Sequence, residues 1–416
     1  MQTVRLDEGL YRTEADNGVS VFSEMLPGVR SVAVGLWVKT ASVHEARGKM
    51  GVSHLLEHMV FKGTERRSAR DIALELEVRG GSLDAFTSRD HTSYQARVLD
   101  EDLSHALDVL TDLVRNPSLR PADLELERKV VLEEINTVQD TPDDLVFDLH
   151  SEALWPDHPY GFSILGTRDT VGRLQSSDLR ALHGQAYHPR QAVIAVAGSL
   201  NHDVLLKLLA KFGWFTFEPG PEGTGVPPVP PGARTTRKVA RDTAQTHIVM
   251  GTDTFPFTDP RRYSLLLLNT VLGGGMSSRL FQRVREELGL AYAVYSFQSF
   301  YRHSGISGVY VGTHPSSASQ AVEAISEEID RLAREGLQGD ALAEAKQQLK
   351  GQVTLSLESP AARMHRLAAL ALYDEPYRTI DQSLAEIDRV TTEQISAVAR
   401  EFHPAERQTT VWLGPN

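Results

Sequence analysis

The chain has 416 residues, of which 41% are apolar and 24% are charged, and its formal net charge at pH 7 is −12. A chain of this size can bury two or more substantial cores, and units of about 200 residues are the natural division. The negative charge disfavours nucleic acid as a partner, and the chain shows neither the apolar segment of a signal peptide nor the run of about 18 apolar residues that a membrane span needs, so we expect a cytoplasmic protein without membrane contact.

The first informative helix follows an alternating segment, Ser31–Lys39, which predicts a strand. The segment Gly51–Met59 contains His54, Glu57 and His58 in the order His-x-x-Glu-His. On an α-helix these positions share one face, so both imidazoles could bind one Zn²⁺ while Glu57 deprotonates a water that the metal activates. Apolar neighbours nearly all round predict that the helix is buried. The alternative is a buried helix that carries two hydrogen-bonded core histidines and no metal.

The elements after this helix include a possible peptide-binding edge. Regular patterns predict a helix that is capped by Ser68 and Asp71 and runs to Arg79, a strand at Thr92–Leu99 and a helix at Leu103–Val114. Between the first two, the segment Gly80–Asp90 opens with two glycines and continues as a short mixed strand. This pattern suits a sheet edge, where free backbone groups can pair with an extended peptide. An ordinary hairpin inside the sheet is the alternative.

The next helix, Pro121–Val138, offers a third metal ligand. Catalytic zinc takes three protein ligands, and because the chain has no cysteine the third must be His, Asp or Glu. Helical periodicity puts Glu127 and Glu134 within or beside the apolar stripe, whereas Glu133 projects away from it. We therefore predict that Glu134 is the third ligand and that Glu127 accepts a hydrogen bond from a ligand imidazole. The alternative is a small roll of the helix that leaves both carboxylates solvated.

Residues 217–232 are rich in proline and glycine, which predicts an extended linker between halves at residues 1–216 and 233–416. The two halves repeat each other. Each contains an amphipathic helix, a His-Pro dipeptide and a closing strand, at residues 177–198 and at residues 392–414. Strands followed by runs of helix predict an α+β fold of two homologous tandem domains, each a mixed, mostly antiparallel sheet flanked by helices.

The second half lacks the metal motif. The helix that bears Glu134 has a counterpart at residues 340–353, where Gly351 takes the place of Glu134, and His-x-x-Glu-His does not recur. The densest pattern of this half, Gly273–Tyr292, opens with three glycines but lacks the Lys-Ser/Thr of a phosphate-binding loop. The sequence thus predicts zinc chemistry in the first half alone.

The motif, the Phe-Lys-Gly-Thr sequence just after it and the two helical glutamates resemble the pitrilysin and insulin-degrading-enzyme family of inverzincin metallopeptidases. The sequence of the motif and of the residues just after it is most similar to the β subunit of mitochondrial processing peptidase and its bacterial relatives, and the resemblance covers essentially the whole chain. It implies one zinc ion per chain, bound by His54, His58 and Glu134, with Glu57 as the general base and Glu127 in support.

The resemblance also implies roles outside the motif. Relatives hold substrate by strand addition at the segment that matches Asp84, Ala85, Phe86 and Thr87, commonly with Asn where this chain has Asp84. Arg285 and Tyr292 match an arginine and a tyrosine that reach the active site, where both can donate to the oxyanion formed at a peptide carbonyl. A structural arginine–carboxylate pair and a buried tyrosine are the alternative.

We therefore predict a zinc metalloendopeptidase that hydrolyses short or unfolded polypeptides in a closed chamber. Single-chain relatives of twice this length enclose a chamber between two double-domain units, which implies a homodimer here, or a heterodimer with a non-catalytic homologue. Arg285 and Tyr292 would then approach the zinc of the partner subunit. The alternative is a non-catalytic binding or scaffold subunit, against which the complete set of buried charges argues. A structural zinc is disfavoured, because three ligands leave one position open.

Overall fold

The computed structural model describes residues 1–337 and 339–415. The strands of the first half are β1 (Gln2–Asp7), β2 (Leu10–Glu14), β3 (Ser20–Met25), β4 (Ser31–Val38), β5 (Ser82–Thr87), β6 (Thr92–Leu99) and β7 (Ala192–Gly198). Its helices are α1 (Val52–Val60), α2 (Ala69–Glu77), α3 (Leu103–Arg115), α4 (Pro121–Gln139), α5 (Pro142–Leu154), α6 (Arg168–Arg173), α7 (Ser176–Ala186) and α8 (His202–Lys211). Ser68 and Asp71 form the predicted capping box at the start of α2.

The second half has a matching series of elements. Its strands are β8 (Thr236–Ala240), β9 (Thr246–Thr254), β10 (Ala291–Phe300), β11 (Gly305–Thr313) and β12 (Thr409–Gly414). Its helices are α9 (Arg262–Gly273), α10 (Ala318–Glu335), α11 (Ala341–Ser356), α12 (Pro360–Leu372), α13 (Ile380–Arg389) and α14 (Thr392–Phe402), and a π-helical segment covers Phe281–Glu287. The predicted linker, residues 217–232, contains no helix or strand. No helix in the described part of the chain combines the length and the apolar character needed to cross a bilayer.

The two sheets show the internal repeat directly. The seven-stranded sheet has the order β1-β2-β3-β7-β4-β6-β5, and the five-stranded sheet has the order β10-β11-β9-β12-β8. In each, one pair is parallel, β3 with β7 and β8 with β12, and the remaining neighbours are antiparallel. The series β3-β7-β4-β6-β5 therefore has the same order and directions as β8-β12-β9-β11-β10. This confirms the predicted α+β fold of two homologous domains.

The chain forms two compact units that each take one segment from the other half. The first unit contains Met1–Ile135, Ser163–Val226 and Ser356–Tyr377, and the second contains Asn136–Phe162, Pro227–Leu355 and Arg378–Asn416. The exchanged segments carry α5 and α12, which hold the same place in the two repeats, directly after α4 and α11. In the first unit α12 packs on β3, β4 and β7, and in the second α5 packs on β9 and β12.

Both faces of the first unit's sheet are therefore covered, which explains why β4 and β7 are almost wholly buried and apolar. On one face, Val34 and Leu36 belong to the core that contains α1. On the other, Trp37 belongs to a separate core with Met364 of α12. The ring of Trp37 lies so close over Gly35 that a Cβ there would come within 2.5 Å of it, so this position requires glycine. The first face is the one that positions the candidate site.

Candidate metal centre

The helix α1 carries the His-x-x-Glu-His motif and is held at both its core face and its N-terminus. Leu55, Leu56 and Met59 are fully buried. Glu45, only 6% exposed, accepts hydrogen bonds from the backbone N–H groups of Gly51 and Ser53, each at 2.8 Å. A carboxylate is favourable at a helix N-terminus because it satisfies free N–H groups and complements the helix dipole. Burial nevertheless raises the pKa of Glu45 to about 7, against the opposing effect of these hydrogen bonds.

His54, His58 and Glu134 converge on one point. The potential ligand atoms of these three residues all lie within 4.8 Å of one another. Nε2 of His54 is 3.7 Å from Oε2 of Glu134, and Nε2 of His58 is 3.6 Å from Oε1 of the same carboxylate. Glu133, next to Glu134 on α4, is exposed, so helix phase separates the two as the sequence predicts. Over residues 1–337 and 339–415, this is the one group of three His, Asp or Glu side chains with such an arrangement.

These three residues fit a zinc ion. Ligand atoms about 2.1 Å from a tetrahedral zinc lie roughly 3.4 Å apart, close to the separations between Glu134 and the two imidazoles. The same separations are too long for hydrogen bonds. Oε2 of Glu134 is buried and finds no hydrogen-bond donor among the described residues, which is unfavourable for a carboxylate unless a cation binds it. Burial lowers the pKa of His54 to about 4, which keeps its imidazole in the neutral form that metals bind.

Glu127 lies behind His58, as predicted from the helix phase. Its Oε1 is 2.8 Å from Nδ1 of His58, and its Oε2 is 2.5 Å from Nζ of Lys62. Burial alone would raise the pKa of Glu127, but the hydrogen bonds from His58 and Lys62 outweigh it and lower the pKa. A carboxylate that accepts from Nδ1–H leaves the lone pair of His58 on Nε2, the atom that faces Glu134.

Glu57 is the remaining acidic group of the motif. It is 8% exposed, and its Oε2 accepts a hydrogen bond from Oγ1 of Thr87 at 2.5 Å. Burial raises the pKa of Glu57, although the hydrogen bond from Thr87 acts in the other direction. A buried carboxylate of raised basicity beside a metal centre is the arrangement that a general base requires.

The strand β5 is the last strand of the seven-stranded sheet, where it pairs with β6. It is therefore an edge strand, which was one of the two arrangements that the sequence allowed. Side chains alternate along it. Ala85 and Thr87 face the core on the α1 side, whereas Asp84 and Phe86 are exposed, Phe86 by 51%. The side chain of Asp84 therefore points away from the face that carries Glu57.

Arg285 and Tyr292 lie together in the second unit. Arg285 belongs to the π-helical segment and Tyr292 to β10. The guanidinium of Arg285 is 4.6 Å from the ring centroid of Tyr292 and 4.6 Å from that of Phe281. Tyr292 is 76% exposed, so the alternative of a buried structural tyrosine does not apply. The π-helical turn is a feature that occurs often at functional sites.

Three side chains of the site were not predicted from sequence: Glu45, Lys62 and the hydroxyl of Thr87. Lys62 could have been found, because a cation just past the end of the motif helix is close enough in sequence to pair with a carboxylate that supports His58. Thr87 was predicted for its backbone alone. Among the described residues of the second half, no group of three potential metal ligands occurs, and Gly351 of α11 takes the place of Glu134.

Comparison with known proteins agrees with these observations. Residues 20–168 match the family described as insulinase (peptidase family M16), and residues 173–349 match the peptidase M16 inactive domain. A Bacillus subtilis protein named an uncharacterized zinc protease is 41% identical over 395 residues, which cover 94% of this chain and 95% of the relative. A similarly named protein of Mycobacterium leprae is 39% identical over 412 residues, which cover 98% and 92%.

Solved structures show the same fold. A protease from Helicobacter pylori has a TM-score of 0.91 at 22% identity, with 98% of this chain and 99% of that chain covered. A Pseudomonas fluorescens structure described as a peptidase M16 inactive domain also has a TM-score of 0.91, at 21% identity and 98% coverage of both chains. The family predicted from the motif is thereby confirmed, and the chain belongs to the insulinase-like peptidase family M16.

Proposed function

We propose that this protein is a zinc-dependent endopeptidase that hydrolyses short or unfolded polypeptides, with Glu57 as its general base. The observation that carries the proposal is the convergence of His54, His58 and Glu134 on one point beside a buried carboxylate. The zinc-protease names of its relatives support the same class of reaction.

Nε2 of His54, Nε2 of His58 and the carboxylate of Glu134 would hold one zinc ion per chain. When bound, zinc supplies a Lewis acid that polarises a peptide carbonyl and makes a water molecule acidic at neutral pH. Three protein ligands leave a position open for substrate, as catalytic sites need. Glu127 orients His58 through its Nδ1–H and does not need to contact the substrate.

Glu57 takes a proton from the attacking water and later delivers it to the amine that leaves. Its burial supports this role, because a raised pKa brings the basicity of the carboxylate closer to neutral pH. Removal of such a group lowers the rate of an enzyme by about 10²- to 10⁴-fold.

The edge strand β5 would bind the substrate as an added strand. Backbone groups of Ala85, Phe86 and Thr87 would pair with an extended peptide. The side chain of Asp84 would lie on the face of the strand away from Glu57. Backbone pairing places few demands on the peptide's sequence but requires that it be extended. This supports short or unfolded polypeptides as the substrate class.

For the assembly, we propose a homodimer in which Arg285 and Tyr292 approach the zinc site of the partner subunit; a heterodimer with a non-catalytic homologue is the variant of this arrangement. The exposure of Tyr292 and its stacking with Arg285 support a role for the pair at a surface that receives another molecule. There, a guanidinium and a phenol would stabilise the oxyanion.

The test combines metal analysis with turnover of an unstructured basic peptide. We expect stoichiometric zinc in the wild type and in Glu57→Gln, loss of zinc in Glu134→Gln, and zinc retained in Glu133→Gln, which alters the exposed neighbour of the ligand. Glu57→Gln should lose turnover by about 10²-fold or more. A wild type without metal, or a Glu57→Gln variant with normal turnover, would contradict the proposal.

A further inference from the structure

We propose that Thr87 is the positioning residue for Glu57, so that the strand expected to bind the peptide also sets the orientation of the general base. This inference rests on the proposed function, because it assigns a role relative to Glu57. It concerns the side chain of Thr87, whereas strand addition uses the backbone of β5.

The contact between the two residues is close and shielded from solvent. Oγ1 of Thr87 donates to Oε2 of Glu57 at 2.5 Å. The two residues are 6% and 8% exposed. Hydrogen bonds from a hydroxyl to a carboxylate at about 2.5–2.7 Å are among the stronger ones in proteins, so this contact restricts the rotation of the carboxylate.

The position of Thr87 depends on the position of β5, because both the neighbouring strand and the core hold the end of β5 in place. Thr87 pairs with Thr92 of β6, and the fully buried Thr92 donates from Oγ1 to the carbonyl of Thr40. Ala85, on the same face as Thr87, packs against the core that contains α1. A peptide that pairs with β5 would order the backbone of this strand and, through Thr87, the carboxylate of Glu57.

Two buried tyrosine hydroxyls in the electrostatic neighbourhood of Glu57 are engaged with each other. The hydroxyls of Tyr94 and Tyr187 lie 2.8 Å apart and hydrogen-bond to each other. Among the described residues, Thr87 is the one whose hydroxyl donates a hydrogen bond to Glu57. Replacement of this one oxygen should therefore release the carboxylate without disturbing the zinc ligands.

The experiment compares Thr87→Val, which keeps the shape and removes the hydroxyl, with Thr87→Ser, which keeps the hydroxyl. Thr236→Val, the same substitution at an exposed position of β8, is the matched control. The measurements are kcat and KM on an unstructured peptide, bound zinc and the midpoint of thermal unfolding. If Thr87→Val does not fold, Thr87→Ala removes the same hydroxyl without placing a methyl group against the carboxylate.

We expect the valine variant to lose kcat by about 10- to 100-fold, the range that misplacement of a catalytic group by about 1 Å can cause, with KM within about twofold and full zinc. The serine variant and Thr236→Val should stay within about threefold of the wild-type kcat. Normal kcat in the valine variant, a change confined to KM, or failure of serine to restore kcat would each overturn the inference. If Glu57→Gln is inactive while Thr87→Val is normal, this inference alone fails; if Glu57→Gln is active, the proposed function fails.

Discussion

Nζ of Lys62 lies 2.5 Å from Oε2 of Glu127, while Oε1 of the same carboxylate lies 2.8 Å from Nδ1 of His58. The side chain of Glu127 is 6% exposed, so its negative charge needs a partner. If His58 binds a metal, its imidazole is neutral and cannot neutralise that charge. Lys62 does so, and it leaves the other oxygen of Glu127 to orient His58.

The first prediction is that Lys62→Met weakens zinc binding by about 10-fold or more, because loss of groups that support metal ligands costs about 10- to 100-fold. Competition with a chelator of known affinity measures the dissociation constant directly, without reference to turnover. Lys62→Arg, which keeps a cation on Glu127, should bind zinc nearly as well as the wild type. An exposed lysine of α4, Lys129, provides the control, since Lys129→Met should have no effect. Equal affinity in Lys62→Met and Lys129→Met would contradict this role.

The second prediction concerns the loop that follows α1. Arg67, whose side chain is 6% exposed, contacts Glu75 at 2.9 Å and both Asp108 and Asp112 at 2.7 Å. Arg67→Met would leave the carboxylate of Asp112, which is 1% exposed, without its cation and should lower the free energy of unfolding by about 3–5 kcal/mol. The neighbouring Arg66, 56% exposed, also contacts Asp108. Arg66→Met should cost about 1 kcal/mol or less, and chemical denaturation that shows similar losses for both variants would refute the distinction.

The third prediction concerns the pH dependence of stability. Burial raises the pKa of Glu45 to about 7 in the folded protein, above the ordinary value of 4.5. The folded state therefore binds a proton that the unfolded state has released, and the contribution of Glu45 to stability falls as the pH rises through the interval between these values.

Glu45→Gln should remove this contribution, so the difference in unfolding free energy between wild type and variant should change by roughly 3 kcal/mol at most from pH 4.5 to pH 7.5. Denaturant unfolding of both proteins at several pH values provides the measurement, and effects common to both cancel in the difference. A difference that does not depend on pH would show that Glu45 is ionised throughout, held so by the N–H groups of Gly51 and Ser53.

The fourth prediction tests the proposed dimer. If Arg285 acts on the zinc site of the partner subunit, a hybrid of Glu57→Gln and Arg285→Ala contains one complete site, whereas each variant alone contains none. After equal mixing with subunit exchange, half of the dimers are hybrids, and activity should recover to about a quarter of the wild-type value. No recovery, in a sample where subunit exchange is demonstrated by mass or fluorescence, would exclude action across the interface.

The sequence was sufficient for those parts of the site that depend on helix phase. Glu134 and Glu133 are adjacent, and helical periodicity alone predicts which of them turns toward the core. The same helical periodicity predicted that Glu127 would contact a histidine of the motif, which the structure shows to be His58. The strand pattern likewise identified β5 as a candidate edge, because two glycines and a short mixed strand are typical of that position.

The hydroxyl of Thr87 could not be predicted in this way. Its contact with Glu57 depends on how β5 lies against α1, which is a tertiary relationship that periodicity does not contain. The exchange of α5 and α12 escaped prediction for a related reason. Both helices have an apolar face, and the repeat of the two halves does not indicate which of two similar sheets each helix covers.

The position of α12 also bears on how the protein is synthesised. The last strand of the first unit's sheet ends at Gly198, but the helix that covers Trp37 ends at Leu372. At about 5–20 residues per second, the ribosome needs roughly 10–35 s to make the intervening residues. During that time, an apolar sheet surface on the nascent chain lacks its partner helix, and such exposed apolar surface favours aggregation. The half that carries His54, His58 and Glu134 is thus the first to be translated, but it cannot complete its core until most of the second half has left the ribosome.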